Sequence, residues 1–346
     1  MTGKERRMRV RPLLSYIDSD GSLRQITSAD EWALRRQQLE KTVAYFLGEA
    51  PDIEPPEPAF EILEEHTYPE YRHLLIKYLV EPEEEVKAHL LVPPPERRQK
   101  GAAVLCLHGT SAAAKDTQIM DGEKPGRDFG RLFAREGFIT LSPDHCCSGE
   151  RQPPGFQPYD TTPFYERYPE WSMMGKAIWD GQRALDVLSV VPDVDPERLG
   201  VVGHSLGGYG SIFLSAFDER LKATISSCGL TSWEDNPKRL NWSRDHWYIH
   251  FPRLREYFLR DEVPCDMHEF AALIAPRPFL NVSGMSDLMY SPTNENMPEI
   301  GWQLWQLYDL LGAGENFANF LFGAGHDVPE YSRALMVAWM KRWLCT

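Results

Sequence analysis

The segment Gly203–Gly207, with the sequence GHSLG, constrains the fold of this chain more than any other feature. It lies between a strand-like run at 198–202 and a helical pattern at 209–217, so it joins a buried strand to a helix. A sharp turn of this kind strains the backbone of Ser205 and exposes its hydroxyl, and the flanking glycines leave room for it. The pattern therefore predicts a nucleophile elbow with Ser205 as the nucleophile.

A serine hydroxyl needs a histidine to accept its proton and a carboxylate to orient that histidine. The strand-like run 278–282 is followed by a loop that contains Asp287, and the run 319–322 by a loop that contains His326. The carboxyl ends of parallel strands meet at one edge of an open sheet, where such folds place their sites. We therefore predict Ser205, Asp287 and His326 as the catalytic residues.

Two alternatives concern other polar residues. Glu234 and Asp235 follow the preceding strand-like segment, and either could serve as the acid instead of Asp287. His246 and His250 have the i, i+4 spacing of metal ligands, but Trp247 stands where a zinc peptidase would carry glutamate. The sequence therefore predicts no metal site.

Backbone amides are the expected donors to the negative charge that develops on the substrate oxygen. One comes from the residue after the nucleophile, Leu206, and the other from a loop after an early strand. The apolar run 103–107 ends in the sequence HGTS. We therefore assign the second donor to the amide of Thr110, with Gly109 as the alternative.

These motifs resemble the α/β-hydrolase superfamily, and within it the branch of dienelactone hydrolases, acetyl xylan esterases and prolyl-oligopeptidase-like enzymes. Further segments carry the resemblance: the HGT loop at 108–110, SPD at 142–144 with SGER at 148–151, and IAPRP at 274–278. The resemblance extends from about Tyr71 to the C-terminus. It implies acyl transfer to water through an acyl-enzyme, without a cofactor.

Two departures separate the chain from the peptidases of this branch. Residues 145–149 read HCCSG, where peptidase members usually carry an Arg-Gly-x-Gly run, and no sequence for a propeller domain is present. Both favour an esterase that acts on small or carbohydrate-linked esters. A serine peptidase is the alternative, and a protein that binds a small ligand without catalysis is the alternative from another class.

Composition limits the partners and the location. The 346 residues carry a net charge of −14, which disfavours nucleic acid and anionic membranes as partners. The basic start of the chain is not followed by an apolar stretch, so we predict no secretory signal and a cytoplasmic location. The adjacent cysteines Cys146 and Cys147 suit reduced thiols better than a disulfide framework. Homo-oligomerisation is compatible with this sequence.

The chain divides into two parts. Residues 1–70 are predicted to form a helical extension and a proline-rich connector. Residues 71–346 are predicted to form the catalytic domain, with an α/β-hydrolase fold built on a mostly parallel, eight-stranded sheet flanked by helices. The alternation of strand and helix stops at 229–269, so we interpret this segment as a lid-like insertion over the site.

The insertion is rich in aromatic residues and arginines. Trp233, Trp242 and Trp247 could pack against a substrate ring or sugar face, while an arginine pairs with a substrate carboxylate. Alternatively, the aromatic residues form a small core of the insertion and the arginines its solvated rim.

Overall fold

The computed structural model describes residues 10–120, 125–234, 236–290 and 292–346. The strands are β1 (Ser15–Ile17), β2 (Leu23–Gln25), β3 (Glu61–Thr67), β4 (Arg72–Glu81), β5 (Glu84–Val92), β6 (Ala103–Leu107), β7 (Ile139–Pro143), β8 (Leu199–His204), β9 (Leu221–Ser227), β10 (Phe279–Gly284) and β11 (Phe317–Phe322). The helices are α1 (Ala29–Leu47), α2 (Phe129–Arg135), α3 (Thr162–Arg167), α4 (Met173–Val190), α5 (Leu206–Phe217), α6 (Arg255–Leu259), α7 (Met267–Ala272), α8 (Met297–Leu310) and α9 (Glu330–Leu344).

The main sheet has the strand order β11-β10-β9-β8-β6-β7-β5-β4-β3. Strands from β11 to β7 are parallel, and β5, β4 and β3 add an antiparallel edge. This is the mostly parallel, helix-flanked sheet of the α/β-hydrolase fold, as expected from the sequence. The carboxyl ends of β8, β10 and β11 therefore lie along the same edge of the sheet, where their following loops meet.

In the described residues the main sheet has nine strands rather than the eight expected, because β3 extends it at the antiparallel edge. Every residue of β3 is exposed, and its sequence EILEEHT has no alternation of apolar and polar residues. Periodicity therefore could not reveal this strand. Since β3 ends at Thr67, the sheet begins within the segment that we assigned to the extension and connector.

The two faces of the sheet are covered by different helices. Helices α2 and α9 pack on one face, with Phe133 and Met340 among the buried residues that meet the strands. Helices α4, α5, α7 and α8 cover the other face. Side chains alternate along β6, so that Leu105 faces one layer and Val104 the other. The sheet is thus buried on both faces, as parallel sheets require.

Helix α1 packs against the same core as the sheet. The Ser28 side chain accepts a hydrogen bond from the Glu31 amide, and the Glu31 carboxylate accepts one from Thr27 N at 2.7 Å. Its apolar stripe of Trp32, Leu39, Val43 and Phe46 is buried. Arg35 also forms an ion pair with the buried Glu269 of α7. The extension is therefore joined to the catalytic domain by apolar packing and by charge.

Among the described residues, no helix is both long and apolar enough to span a membrane.

The packing around the elbow predicts that alanine substitutions at two glycines of α5 have opposite effects on stability. A Cβ atom at Gly207 would lie 2.0 Å from the Leu107 carbonyl oxygen, whereas one at Gly210 would lie 3.5 Å from a Leu107 methyl carbon. We expect Gly207→Ala to lower the free energy of unfolding by about 3 kcal/mol, as overpacking does. Gly210→Ala is the matched control and should raise it by about 0.5 kcal/mol, because alanine is the better helix former.

Urea denaturation of both variants would measure these changes. Equal stability of Gly207→Ala and the unchanged protein would contradict the close contact of α5 with β6.

Candidate active site

Ser205 occupies a strained turn between β8 and α5. Its backbone has φ 57° and ψ −115°, a left-handed φ that a residue with a side chain adopts only under constraint. The Ser205 amide donates to the Ser227 carbonyl at 2.8 Å, and a Cβ atom at Gly203 would lie 2.2 Å from the Gly207 carbonyl oxygen. This geometry is that of the predicted nucleophile elbow, and it presents the Ser205 side chain to a cavity.

His326 and Asp287 are hydrogen-bonded to each other. His326 Nδ1 lies 2.6 Å from Asp287 Oδ2. The carboxylate is 1% exposed, so its interaction with the imidazole is little screened by water. The bond leaves His326 Nε2 as the nitrogen that can accept a proton, and His326 lines the same cavity as Ser205. The structure therefore brings Ser205 and His326 to one cavity, with Asp287 behind the imidazole.

The loop around Asp287 positions this carboxylate. Asp287 Oδ1 accepts a hydrogen bond from the Met289 amide at 2.8 Å, and the Asp287 carbonyl accepts one from Asn294 Nδ2 at 2.7 Å. Asp287 therefore has one oxygen held by the loop and the other bonded to His326.

Glu234, one of the two alternative acids, is held at the start of the insertion. The Glu234 amide donates to Asp266 Oδ2 at 3.2 Å, which places Glu234 at the start of the insertion. His326 Nδ1 is already bonded to Asp287. Asp235, the other alternative, lies outside the described residues.

Tyr290 is a site residue that our sequence analysis missed. Burial raises the pKa of its phenol, and a hydrogen bond with the Ser205 side chain acts in the opposite direction. Its ring also packs edge-on against His326, with ring centroids 5.8 Å apart. Tyr290 therefore lies beside both Ser205 and His326. No sequence pattern marks Tyr290, although it lies three residues after Asp287.

The predicted oxyanion loop is held by two histidines, of which His108 is buried and His145 is half-buried. His108 Nε2 accepts a hydrogen bond from the His145 amide at 3.1 Å, and His145 Nε2 donates to the His108 carbonyl at 3.0 Å. Burial lowers the pKa of His108 to about 4 and that of His145 to about 3, so both are neutral near pH 7. Thr110 follows on this loop and lines the cavity, and Leu206 begins α5 beside Ser205.

The Tyr159 hydroxyl also braces this loop. It donates to the Ser111 carbonyl at 2.8 Å and accepts from the Ser111 amide at 2.9 Å. The loop is thus fixed on both sides of Thr110 before any substrate binds.

The cavity over Ser205 has a volume of about 220 Å³. Aromatic side chains form much of its wall, namely Tyr209, Trp242, Trp247, Tyr248 and Tyr290. Three cations, Arg127, Lys238 and Arg244, also line it. The insertion therefore supplies one wall of the cavity, while the sheet loops supply the other.

The three tryptophans of the insertion have different positions. Trp242 and Trp247 line the cavity, as expected for substrate contact. The expectation for Trp233 does not fit its position: Trp233 is 0% exposed and packs edge-on against Phe251, Phe258 and Phe270. It belongs to the small core of the insertion, because aromatic composition alone does not show which face of a segment meets the site.

One group in the described residues has donor atoms close enough to hold a metal ion. The side chains of Cys228, Asp287 and His326 offer ligand atoms within 4.8 Å of one another. However, His326 Nδ1 and Asp287 Oδ2 are bonded to each other, and burial raises the pKa of Cys228 to about 12. A protonated thiol and an occupied imidazole nitrogen are poor ligands. His246 is exposed beside Asp245, whereas His250 is buried against Tyr209, so these two histidines do not form a metal site either.

The chain is similar to known hydrolases in sequence. A family model described as glucuronyl esterase of fungi matches residues 154–308. The putative hydrolase YtaP of Bacillus subtilis is 28% identical over 213 residues, which are 60% of this chain and 66% of that protein. The carbohydrate esterase MZ0003, from an unknown prokaryotic organism, is 29% identical over 154 residues, 42% of this chain and 35% of that one. The chain thus matches less than two thirds of each of these relatives.

The similarity in structure extends over nearly the whole chain. A glucuronoyl esterase from Solibacter usitatus superimposes with a TM-score of 0.71 at 19% sequence identity, covering 95% of this chain and 96% of that one. At this identity the likeness establishes the fold. The sheet order, the elbow and these matches show that the chain has the α/β-hydrolase fold.

Proposed function

We propose that the protein is a serine carboxylic-ester hydrolase that acts on small or carbohydrate-linked esters through Ser205, His326 and Asp287. The observation that carries this proposal is that the elbow serine and His326 line one cavity, while Asp287 is bonded to the other side of the imidazole. Three side chains from separate loops in this arrangement are suited to acyl transfer. The similarity to carbohydrate esterases supports the choice of ester over amide.

Acylation would begin when the Ser205 hydroxyl is hydrogen-bonded to His326. His326 Nε2 takes the proton as the Ser205 oxygen attacks the ester carbon, and Asp287 keeps the imidazole in the required tautomer and stabilises its charged form. The Leu206 and Thr110 amides stabilise the negative oxygen of the tetrahedral intermediate. His326 then gives the proton to the departing alcohol, which leaves an acyl-enzyme on Ser205.

Deacylation would repeat these steps with water. His326 takes a proton from the attacking water, and the second tetrahedral intermediate collapses to release the acid and restore the Ser205 hydroxyl. No group beyond this chain's own side chains and amides takes part in the scheme.

The shape of the cavity supports a small substrate. Its volume of about 220 Å³ is below the usual range of about 300–1,000 Å³ for ligand pockets, which suits a single ring and a short acyl group. Trp242 and Trp247 offer aromatic surfaces of the kind that pack against a sugar face.

We also propose a cytoplasmic location and small-molecule partners. All six cysteines are free thiols, and the sulfurs of Cys146 and Cys147 lie 3.7 Å apart without a bond, which suits a reducing compartment. Self-association into a homo-oligomer is part of this proposal, and sedimentation analysis would test it.

Ser205→Ala should abolish turnover, because it removes the attacking oxygen. We expect a loss of about 10³-fold or more in kcat on 4-nitrophenyl acetate and butyrate, with an unchanged circular dichroism spectrum. An aminoacyl nitroanilide assayed in parallel separates esterase from peptidase. Cleavage of the anilide but not the esters would favour a peptidase, and no serine-dependent turnover of any substrate would favour a binding protein.

The acid is tested by a pair of amide substitutions. Asp287→Asn should lower kcat by about 10⁴-fold, because an amide in this position favours the wrong imidazole tautomer. Glu234→Gln is the matched control and should change kcat less than twofold. The reverse ranking in ester hydrolysis assays would assign the role of acid to Glu234.

Tyr290→Phe removes the phenol that interacts with Ser205 and leaves the ring against His326. We expect kcat to change, because the phenol no longer competes with His326 for the serine hydroxyl, while the midpoint of thermal unfolding moves by less than about 4 °C. Steady-state kinetics and a thermal melt of the same preparation would measure both. An unchanged kcat and KM would show that the Tyr290–Ser205 hydrogen bond has no part in the reaction.

A further inference from the structure

One arginine of the insertion differs from its neighbours. Four arginines there pair with carboxylates: Arg239 with Asp261, Arg253 with Glu170, Arg255 with Asp245 and Arg260 with Glu262. Arg244 lies among them in sequence but forms no ion pair with any residue that the structure describes. It is also the one among these five that lines the catalytic cavity.

The surroundings of Arg244 keep its charge uncompensated. Its guanidinium carbon lies 4.9 Å from the centre of the Trp247 ring, which is an attraction to the aromatic face and not a charge pair. Burial lowers the pKa of Arg244, which shows that water is partly excluded from it. Its neighbour in sequence, Asp245, is bonded to Arg255 at 2.6 Å and to His246 at 2.6 Å.

The other two cations that line the cavity donate hydrogen bonds to backbone carbonyls. The Arg127 guanidinium donates to the His326 carbonyl at 2.7 Å, and Asp327 and Asp287 lie near enough to act on its charge. The Lys238 ammonium donates to the Leu288 carbonyl at 2.7 Å and remains exposed. None of the described residues that line the cavity is an aspartate or glutamate. The cavity is thus positive in a protein whose net charge is −14.

We infer that the preferred ester substrate carries a second, ionised carboxylate, which Arg244 binds from the insertion side of the cavity while Ser205 attacks the ester. This inference rests on the proposed esterase function and specifies its substrate class. An arginine fork matches the two oxygens of a carboxylate, and partial exclusion of water strengthens the contact. Lys238 adds a second positive charge at the rim, and the ring of Trp247 holds the Arg244 side chain in place.

Two matched substrate pairs test the inference and locate the carboxylate. The pair 4-acetoxybenzoate and 4-acetoxybenzamide carries the charge or its neutral equivalent on the alcohol side. The pair mono(4-nitrophenyl) adipate and 4-nitrophenyl hexanoate does so on the acyl side. The quantity compared is the ratio of kcat/KM for the anionic ester to that for its neutral partner.

We expect the unchanged protein to favour the anionic ester in one of these pairs. Arg244→Gln should lower that ratio by about 10- to 100-fold, mainly through KM, because a charge-assisted contact to the substrate is lost. Arg244→Lys, which retains the charge, should restore part of the ratio. Arg260→Gln, the same change at an exposed and paired arginine of the insertion, should leave the ratio as it was.

A ratio that changes less than twofold in Arg244→Gln for both pairs would overturn the inference. The proposed function has a separate readout, since its failure would appear as no Ser205-dependent turnover of the neutral esters. In that case calorimetric titration of both pairs into Ser205→Ala decides the inference alone. Tighter binding of one anion than of its neutral partner, lost in Ser205→Ala/Arg244→Gln, would support it, and equal binding within both pairs would refute it.

Discussion

The close contact between the start of α5 and the end of β6 is the constraint on which the site depends. Gly207 allows the helix to lie against the Leu107 carbonyl, and Gly203 allows the turn to close against the backbone of Gly207. With these atoms in contact, Ser205 has no relaxed backbone conformation available and takes φ 57°. The hydrogen bond from its amide to Ser227 on β9 then ties the strained turn to the next strand. The position of the nucleophile is therefore a property of the packed sheet.

A second layer of polar contacts stiffens the loops around this elbow. Asp144, which is 2% exposed, accepts hydrogen bonds from the Lys115 amide and ammonium at 3.0 and 2.9 Å and from the Glu150 amide at 3.1 Å. These three donors satisfy the buried carboxylate. It joins the segment after the oxyanion loop to the segment after β7. The buried charge of Asp144 thus positions loops, whereas the charge of Arg244 is available to a ligand.

Much of the fold and of the candidate site could be predicted because both follow from local patterns. Glycine spacing marked the elbow, and apolar runs followed by polar loops marked Asp287 and His326. The strand β3 escaped prediction because its exposed residues carry no periodic signal. Trp233 was assigned to the cavity because composition does not show which way a side chain points. Only the packing shows that it fills the core of the insertion. The position of Tyr290 in the site depends on the path of the loop after Asp287, and no residue pattern specifies that path.

The insertion and the loops that carry Ser205 and His326 are held in place by different parts of the fold. Asp266, at the start of α7, accepts hydrogen bonds from the Ser232 hydroxyl at 2.8 Å and the Trp233 amide at 2.7 Å, and Glu269 completes its capping box. Glu269 is the same residue that pairs with Arg35 of α1. The wall that meets the substrate is therefore braced by the N-terminal helix, whereas the nucleophile and its base are braced by the sheet. Amino-acid changes along the seam between α1 and α7 can thus reshape what enters the cavity and leave the reacting groups in place.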